Sequence, residues 1–154
     1  MKKDFTRDYV TEAFRLYAAM GKPTYEEAQR KVYQMELSKR SDMDPSVAVA
    51  QAEKAVKNNM PLLLDILAVD KTIELLERGE KRDAVKAVEA VYFTKSHAPL
   101  HRGDISERVR YYAMSCPTDE RTVYRWLKEA RLLCAAVRGL RITDTDTKKF
   151  RIVL

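Results

Sequence analysis

The stretch PTDERTVYRWLKEARLLCAAVRGL, residues 117–140, decides how this chain is expected to fold. Asp119 is a favourable N-cap and Gly139 a favourable residue just past a helix end, so the pattern predicts a helix over 119–138. Its apolar side chains form one stripe: Val123, Leu127, Ala130, Cys134 and Val137, widened by Trp126 and Leu133. The opposite side carries Arg121, Tyr124, Arg125 and Lys128. This helix is therefore expected to bury one face and expose a basic one.

The rest of the chain has the pattern of an all-α protein. It contains only 4 Gly and 5 Pro, and its apolar residues recur mostly at helical spacing, which predicts a multi-helix bundle. A helix capped by Asp104 and Glu107 is expected to end before Pro117, so that this helix and the next favour a C-terminal helix-turn-helix. Beyond Gly139, two β-prone runs flank a turn-prone DTDT segment and predict a short β-hairpin.

Cap and breaker residues predict where the earlier helices begin and end. Thr24 and Glu27 form a capping-box pattern, Asp44 precedes Pro45, and Gly79 is expected to stop the helix with the steadiest apolar period. The inner stripe predicted for that helix is Leu62, Ile66, Val69, Ile73 and Leu76. The stripe predicted for the first helix is Phe5, Tyr9, Ala13, Leu16 and Met20. A fifth helix is marked by Ala84, Val85, Val88, Val91 and Tyr92.

The positive charge of the chain is concentrated in its last third. The whole chain has a net charge of +6, and residues 101–154 supply most of it, with 12 basic and 7 acidic side chains. Residues 1–60 are close to neutral, so we expect them to form a helical region for packing or oligomerisation, and residues 61–154 to form a DNA-binding region. The tyrosines and methionines of the first two helices fit either a core or a homo-oligomer interface.

Cysteine usage and hydropathy bound the cellular setting. Two cysteines without Cys-x-x-Cys spacing, no apolar leader and no run long enough to span a bilayer predict a reduced, cytoplasmic protein that does not enter a membrane. His97, His101, Cys116 and Cys134 are the metal-ligand types present, but Pro99 interrupts the histidine pair, so we expect no metal. No phosphate-binding glycine loop or catalytic triad is found, so no cofactor and no enzymatic activity are expected.

The basic side of helix 119–138 carries residue types that contact DNA. Arginine can pair bidentately with a guanine edge, while lysine and tyrosine more often contact phosphates. The N-terminal half of a recognition helix is the part that meets the major groove. A solvated basic face with no ligand is the ordinary alternative for such a helix.

Three segments carry a resemblance to a known family. LLLDILAVDKTIELLE (62–77), AVEAVYF (87–93) and DERTVYRWLKEA (119–130) resemble region 4 of sigma-70-type factors, and are most similar to phage regulators of the ArpU and RinA kind. The resemblance implies that Arg121, Thr122, Arg125 and Lys128 face double-stranded DNA, with Tyr124 beside them. Residues 1–60 do not resemble the sigma segment that binds the −10 promoter element.

The resemblance implies a sigma-like, DNA-binding transcription regulator, of phage or prophage late genes, with RNA polymerase as a second partner. Two alternatives use the same fold. One is a helical adaptor that holds RNA polymerase or a sigma factor without recognising DNA. The other is the DNA-recognition subunit of a phage packaging machine, similar to a small terminase.

Overall fold

The structure, a computed structural model, describes residues 4–140 and is helical throughout its regular elements. The α-helices are α1 (Phe5–Ala19), α2 (Tyr25–Ser38), α3 (Pro45–Asn58), α4 (Met60–Arg78), α5 (Arg82–Val88), α6 (Asp104–Ser115) and α7 (Glu120–Arg138). Within the described range there is no strand, so the predicted all-α, multi-helix bundle is confirmed. The predicted C-terminal β-hairpin lies outside the described residues.

Most of the predicted helix starts have the expected cap. The Thr24 hydroxyl accepts from the Glu27 N–H at 3.2 Å, and the Glu27 carboxylate accepts from the Thr24 N–H at 3.3 Å. At the start of α3, Asp44 directly precedes Pro45, and the Asp44 carboxylate accepts a hydrogen bond from the Ser46 N–H at 2.9 Å. Each cap satisfies N–H groups that have no partner inside the helix. The sequence pattern was sufficient here because the capping side chain and the N–H group that donates to it lie within one turn.

The predicted cap of α6 is wrong. Asp104 is the first residue of the helix rather than its cap, and Gly103 occupies the cap position with a φ of 90°. The Asp104 carboxylate instead accepts from the backbone N–H of His101 at 2.8 Å. Glycine allows the left-handed turn that brings the connector into α6, which a side-chain cap at residue 104 would not provide.

The core lies where α4, α5 and α7 pack together, with α1 across them. Its members include Leu63, Ile66 and Val69 of α4, Val85 and Val88 of α5, and Val123, Leu127 and Ala130 of α7. The α7 stripe predicted from the sequence is therefore buried in its first half as expected. Cys134 is also buried, while Trp126 and Leu133 are half-buried at the edge of the core.

The predicted inner stripe of α1 is confirmed from Ala13 onward, where its residues are buried or pack against the core, and is wrong at its first two residues. Phe5 is 75% exposed and Tyr9 is 41% exposed, whereas Val10 and Phe14 are buried. The Phe14 ring stacks on the Tyr92 ring, with 5.6 Å between the ring centroids. Apolar and aromatic residues of α1 lie on more than one side of the helix, so its sequence alone allows two stripes. Contact with the core selects the stripe through Phe14.

A π-helical turn over Glu89–Phe93 follows α5 directly. If α5 continued as an α-helix, Phe93 would lie well away from the buried side of the helix, on which Val88 lies. The wider turn rotates Phe93 back toward α1, where its ring lies 5.8 Å from that of Tyr17 and 6.5 Å from that of Phe14. The turn therefore lets consecutive aromatic side chains contact α1.

Residues on both sides of position 60 contribute to this core. Val10 and Phe14 of α1 and Ala28 and Val32 of α2 belong to the same buried cluster as α4 and α7. Helices α2 and α3 form a hairpin that packs against α4. In α3, the buried residues are Ala48, Ala52 and Val56. The functional division into residues 1–60 and 61–154 stays a prediction.

Candidate nucleic-acid interface

Helices α6 and α7 are joined by residues 116–119. The Thr118 N–H donates to the Ala113 carbonyl at 3.1 Å and closes the turn. The Asp119 carboxylate accepts from the Thr122 N–H at 2.7 Å, so the predicted start of α7 is confirmed. Arg110 of α6 lies 3.6 Å from the Glu120 carboxylate of α7 and adds a link between the two helices.

The predicted DNA-binding side chains lie mostly on one exposed side of α7. Arg121, Tyr124, Arg125 and Lys128 are exposed, and we call these four residues the basic face of α7. Thr122 is half-buried, and its backbone N–H is used by the cap. The basic face extends over two turns of the helix, beginning at its N-terminus, because exposed residues recur at three- and four-residue spacing.

The carboxylate of Asp119, the N-cap of α7, interacts electrostatically with two arginines of the basic face. Hydrogen bonds from Thr122 lower the pKa of the Asp119 carboxyl below its ordinary value, and the positive charges of Arg121 and Arg125 lower it further. The carboxylate is thus ionised and engaged by its own helix. A negative charge at a helix N-terminus also stabilises the helix dipole.

The other acidic residues of α7 have cationic partners on neighbouring helices. Glu120 pairs with Arg110 of α6, and Glu129 pairs with Lys81, the residue before α5. Among the described residues, no carboxylate lies within ion-pair distance of Arg121 or Arg125. Both arginine side chains are exposed.

Two exposed side chains on α6 were missed by the sequence analysis. Tyr111 and Met114 are 76% and 77% exposed, on the side of α6 opposite the buried residues Val109 and Ala113. They lie three residues apart and off the apolar stripe, which is the sequence signal that could have identified them. They form an aromatic and apolar patch on the helix that precedes the basic face.

The residues considered as metal ligands do not form a cluster. His97 and His101 are exposed on the connector, Cys116 is half-buried at the end of α6, and Cys134 is buried in the core. Within residues 4–140, no group of three His, Cys, Asp or Glu side chains could hold a metal ion. Burial raises the pKa of the Cys134 thiol to about 12, so this thiol is protonated at neutral pH.

No protein-family model, curated protein or solved structure matches the chain. None of the helices in the described part is both long and apolar enough to cross a lipid bilayer.

Proposed function

We propose that this protein is a DNA-binding transcription regulator that inserts the N-terminal half of α7 into the major groove of duplex DNA. The observation that carries the proposal is the basic face of α7. Arg121 and Arg125 are exposed and have no carboxylate partner among the described residues, while Val123 and Leu127 fix the opposite side of the helix in the core. A rigidly packed helix with an exposed basic side suits groove binding.

The side chains of the basic face match the two kinds of contact that DNA recognition requires. An arginine fork can donate two hydrogen bonds to the O6 and N7 atoms of guanine. Lysine and tyrosine donate to phosphate oxygens and set the position of the helix. In this proposal Arg121 and Arg125 contact bases, while Tyr124 and Lys128 contact the backbone. Thr122, which is half-buried, contacts DNA only at the edge of the interface.

The arrangement of α6 and α7 supports the more specific proposal of a sigma-like helix-turn-helix. Two helices joined by a turn of three or four residues, with the second helix exposing DNA-binding side chains, are typical of this motif. Residues 116–119 have that length. Together with the resemblance of residues 62–77, 87–93 and 119–130 to sigma region 4, this supports regulation of phage or prophage late genes.

A helical adaptor for RNA polymerase is the second candidate function. It is favoured by Tyr111 and Met114, whose exposure on α6 is typical of side chains that contact another protein. An adaptor would change transcript yield without protecting DNA. A regulator of the first kind would protect DNA upstream of a start site and also change transcript yield.

The test measures binding of the full chain to duplexes selected from a randomised DNA library, at several salt concentrations. We expect Arg121→Ala and Arg125→Ala each to weaken binding to the selected site by about 1–3 kcal/mol and to relax base preference. Because both side chains are exposed, the free energy of unfolding should change by less than about 0.5 kcal/mol.

Arg78→Ala is the matched control, because the Arg78 side chain is 70% exposed on α4 and its one ion-pair partner among residues 4–140 is Glu74. This variant should bind DNA as the unmodified chain does. The affinity of the unmodified chain should fall steeply with salt, since phosphate contacts release counterions. Selection of no duplex, or equal affinity of both α7 variants and the control, would contradict the proposal. A yield change in a purified polymerase reaction without DNA protection would favour the adaptor.

A further inference from the structure

A cleft of about 800 Å³ lies beside the basic face, between α1, the connector 94–103, α6 and α7. We call it the α1–α7 cleft. Its apolar lining consists of Leu127, which is fully buried, with the half-buried Leu100 and Ile105. Tyr124 and Arg131 of α7 line it on one side, and residues of α1 on the other. Its volume lies in the range of small-molecule sites, and polar and charged side chains line it beside these apolar residues.

The carboxylates that line the cleft already have cationic partners. Asp8 lies 3.3 Å from the Arg7 guanidinium. Glu12 lies 3.0 Å from Arg15, a buried residue whose other terminal nitrogen donates to the Ala98 carbonyl of the connector. These two pairs leave the α1 side of the cleft close to electrically neutral. The Arg15 side chain also links the connector to α1.

Among the described residues that line the cleft, Arg131 is the cation without a carboxylate partner. Its Nη1 donates to the Tyr92 hydroxyl at 2.7 Å, and no carboxylate among residues 4–140 lies within ion-pair distance of it. The side chain is half-buried, so a charged partner would be partly shielded from water. The guanidinium group has five N–H donors in a fork that matches phosphate oxygens, and the Tyr92 bond occupies one of them.

Tyr124 supplies a flat ring at the same cleft. It is 42% exposed and precedes Arg131 by two turns of α7, so the two Cα atoms are about 10 Å apart along the helix axis. A guanidinium group and an aromatic ring carried two helical turns apart suit a ligand that has a phosphate at one end and a flat ring at the other. Any of the nucleotide bases can stack on a tyrosine ring, because every base has a flat aromatic face.

We propose that the α1–α7 cleft binds a nucleoside monophosphate, with the phosphate on Arg131 and the base on Tyr124. Because Tyr124 also belongs to the basic face of α7, an occupied cleft withdraws this side chain from DNA and lowers DNA affinity. The binding site itself is independent of the proposed function. The effect on DNA affinity rests on that function.

Titration calorimetry on the full chain tests the binding site with the four 5′-nucleoside monophosphates, inorganic phosphate and adenosine as probes. We expect saturable binding of at least one nucleotide, and weaker binding of phosphate and of adenosine, because each has only one of the two recognised groups. Arg131→Met and Tyr124→Ala should each weaken nucleotide binding by about tenfold, which corresponds to about 1.4 kcal/mol. Arg78→Met, which does not line the cleft, should leave it unchanged.

Tyr124→Ala keeps the test valid if Arg131→Met fails to fold, because Tyr124 is exposed whereas Arg131 also bonds the buried Tyr92. No saturable nucleotide binding, or equal nucleotide binding by the unmodified chain and Tyr124→Ala, would overturn the site. Phosphate binding as tightly as the nucleotide would overturn the role of the ring.

The effect on DNA is measured by repeating the duplex titration with the nucleotide at saturation. We expect DNA affinity to fall several-fold in the unmodified chain and to stay constant in Tyr124→Ala. Unchanged affinity in the unmodified chain would overturn the coupling. If the chain binds the nucleotide but no duplex, the proposed DNA-binding function is refuted while the nucleotide site is supported.

Discussion

Replacing Asp65 with alanine should release the C-terminal end of α7 from the rest of the bundle. The Asp65 carboxylate, on α4, accepts from the Tyr9 hydroxyl of α1 at 2.7 and 2.8 Å and from Arg138 Nε of α7 at 2.7 Å. The Asp65 and Arg138 side chains are 13% and 21% exposed. The hydrogen bond to Asp65 raises the pKa of Arg138 above its ordinary value. One carboxylate therefore joins three helices.

The size of the effect follows from these contacts. Each hydrogen bond to a charged group contributes about 1.5–3 kcal/mol, and the truncation also leaves the Arg138 charge without its partner, so we expect Asp65→Ala to cost about 3–5 kcal/mol. Tyr9→Phe removes one bond at an exposed edge and should cost about 1 kcal/mol. Urea unfolding followed by circular dichroism gives both values.

A surface ion pair provides the control for this measurement. Glu74→Ala removes a carboxylate that is 42% exposed and pairs on the same helix with Arg78 at 2.6 Å and, more weakly, with Lys71 at 3.7 Å. Such pairs contribute about 0.3–0.5 kcal/mol. If Asp65→Ala costs no more than Glu74→Ala, the carboxylate does not hold the three helices together, and the reasoning is refuted.

Two further predictions concern the buried side of α7. Trp126→Ala should destabilise the chain by about 1–3 kcal/mol in urea unfolding, less than for a fully buried ring, because Trp126 is half-buried against the core; a change below that of Glu74→Ala would contradict its packing. Burial raises the pKa of the Cys134 thiol from 9.0 to about 12. As pH rises, the thiol ionises in the unfolded chain before it does so in the folded chain, so the free energy of unfolding should fall as pH rises through this range. Cys134→Ala should lessen that loss by about 1 kcal/mol near pH 10, and equal pH dependence of both chains would contradict the assignment.

Local patterns were enough to predict much of this fold. The caps at Thr24, Asp44 and Asp119 involve partners two or three residues away, and α4 ends directly before Gly79 as predicted. The exposed and buried sides of the first half of α7 followed from helical periodicity, because Val123, Trp126 and Leu127 lie in one sector. For the same reason the exposure of Arg121 and Arg125 could be predicted.

Tertiary packing decided what such patterns leave open. The sequence of α1 allows two apolar faces, and the contact of Phe14 with Tyr92 selects one of them, which leaves Tyr9 free to bond Asp65. The π turn after α5 also depends on aromatic partners in α1. These partners are distant in sequence, so no local period could identify them.

The cleft next to the basic face shows the same division most clearly. Periodicity placed Tyr124 on the exposed side of α7, but only the positions of α1 and the connector show that its ring also lines a cleft with Arg131. The sequence determined which side chains α7 exposes, since that depends on its own helical repeat. The tertiary structure decided which of them share a site, because a cavity is formed by elements that the chain brings together from far apart.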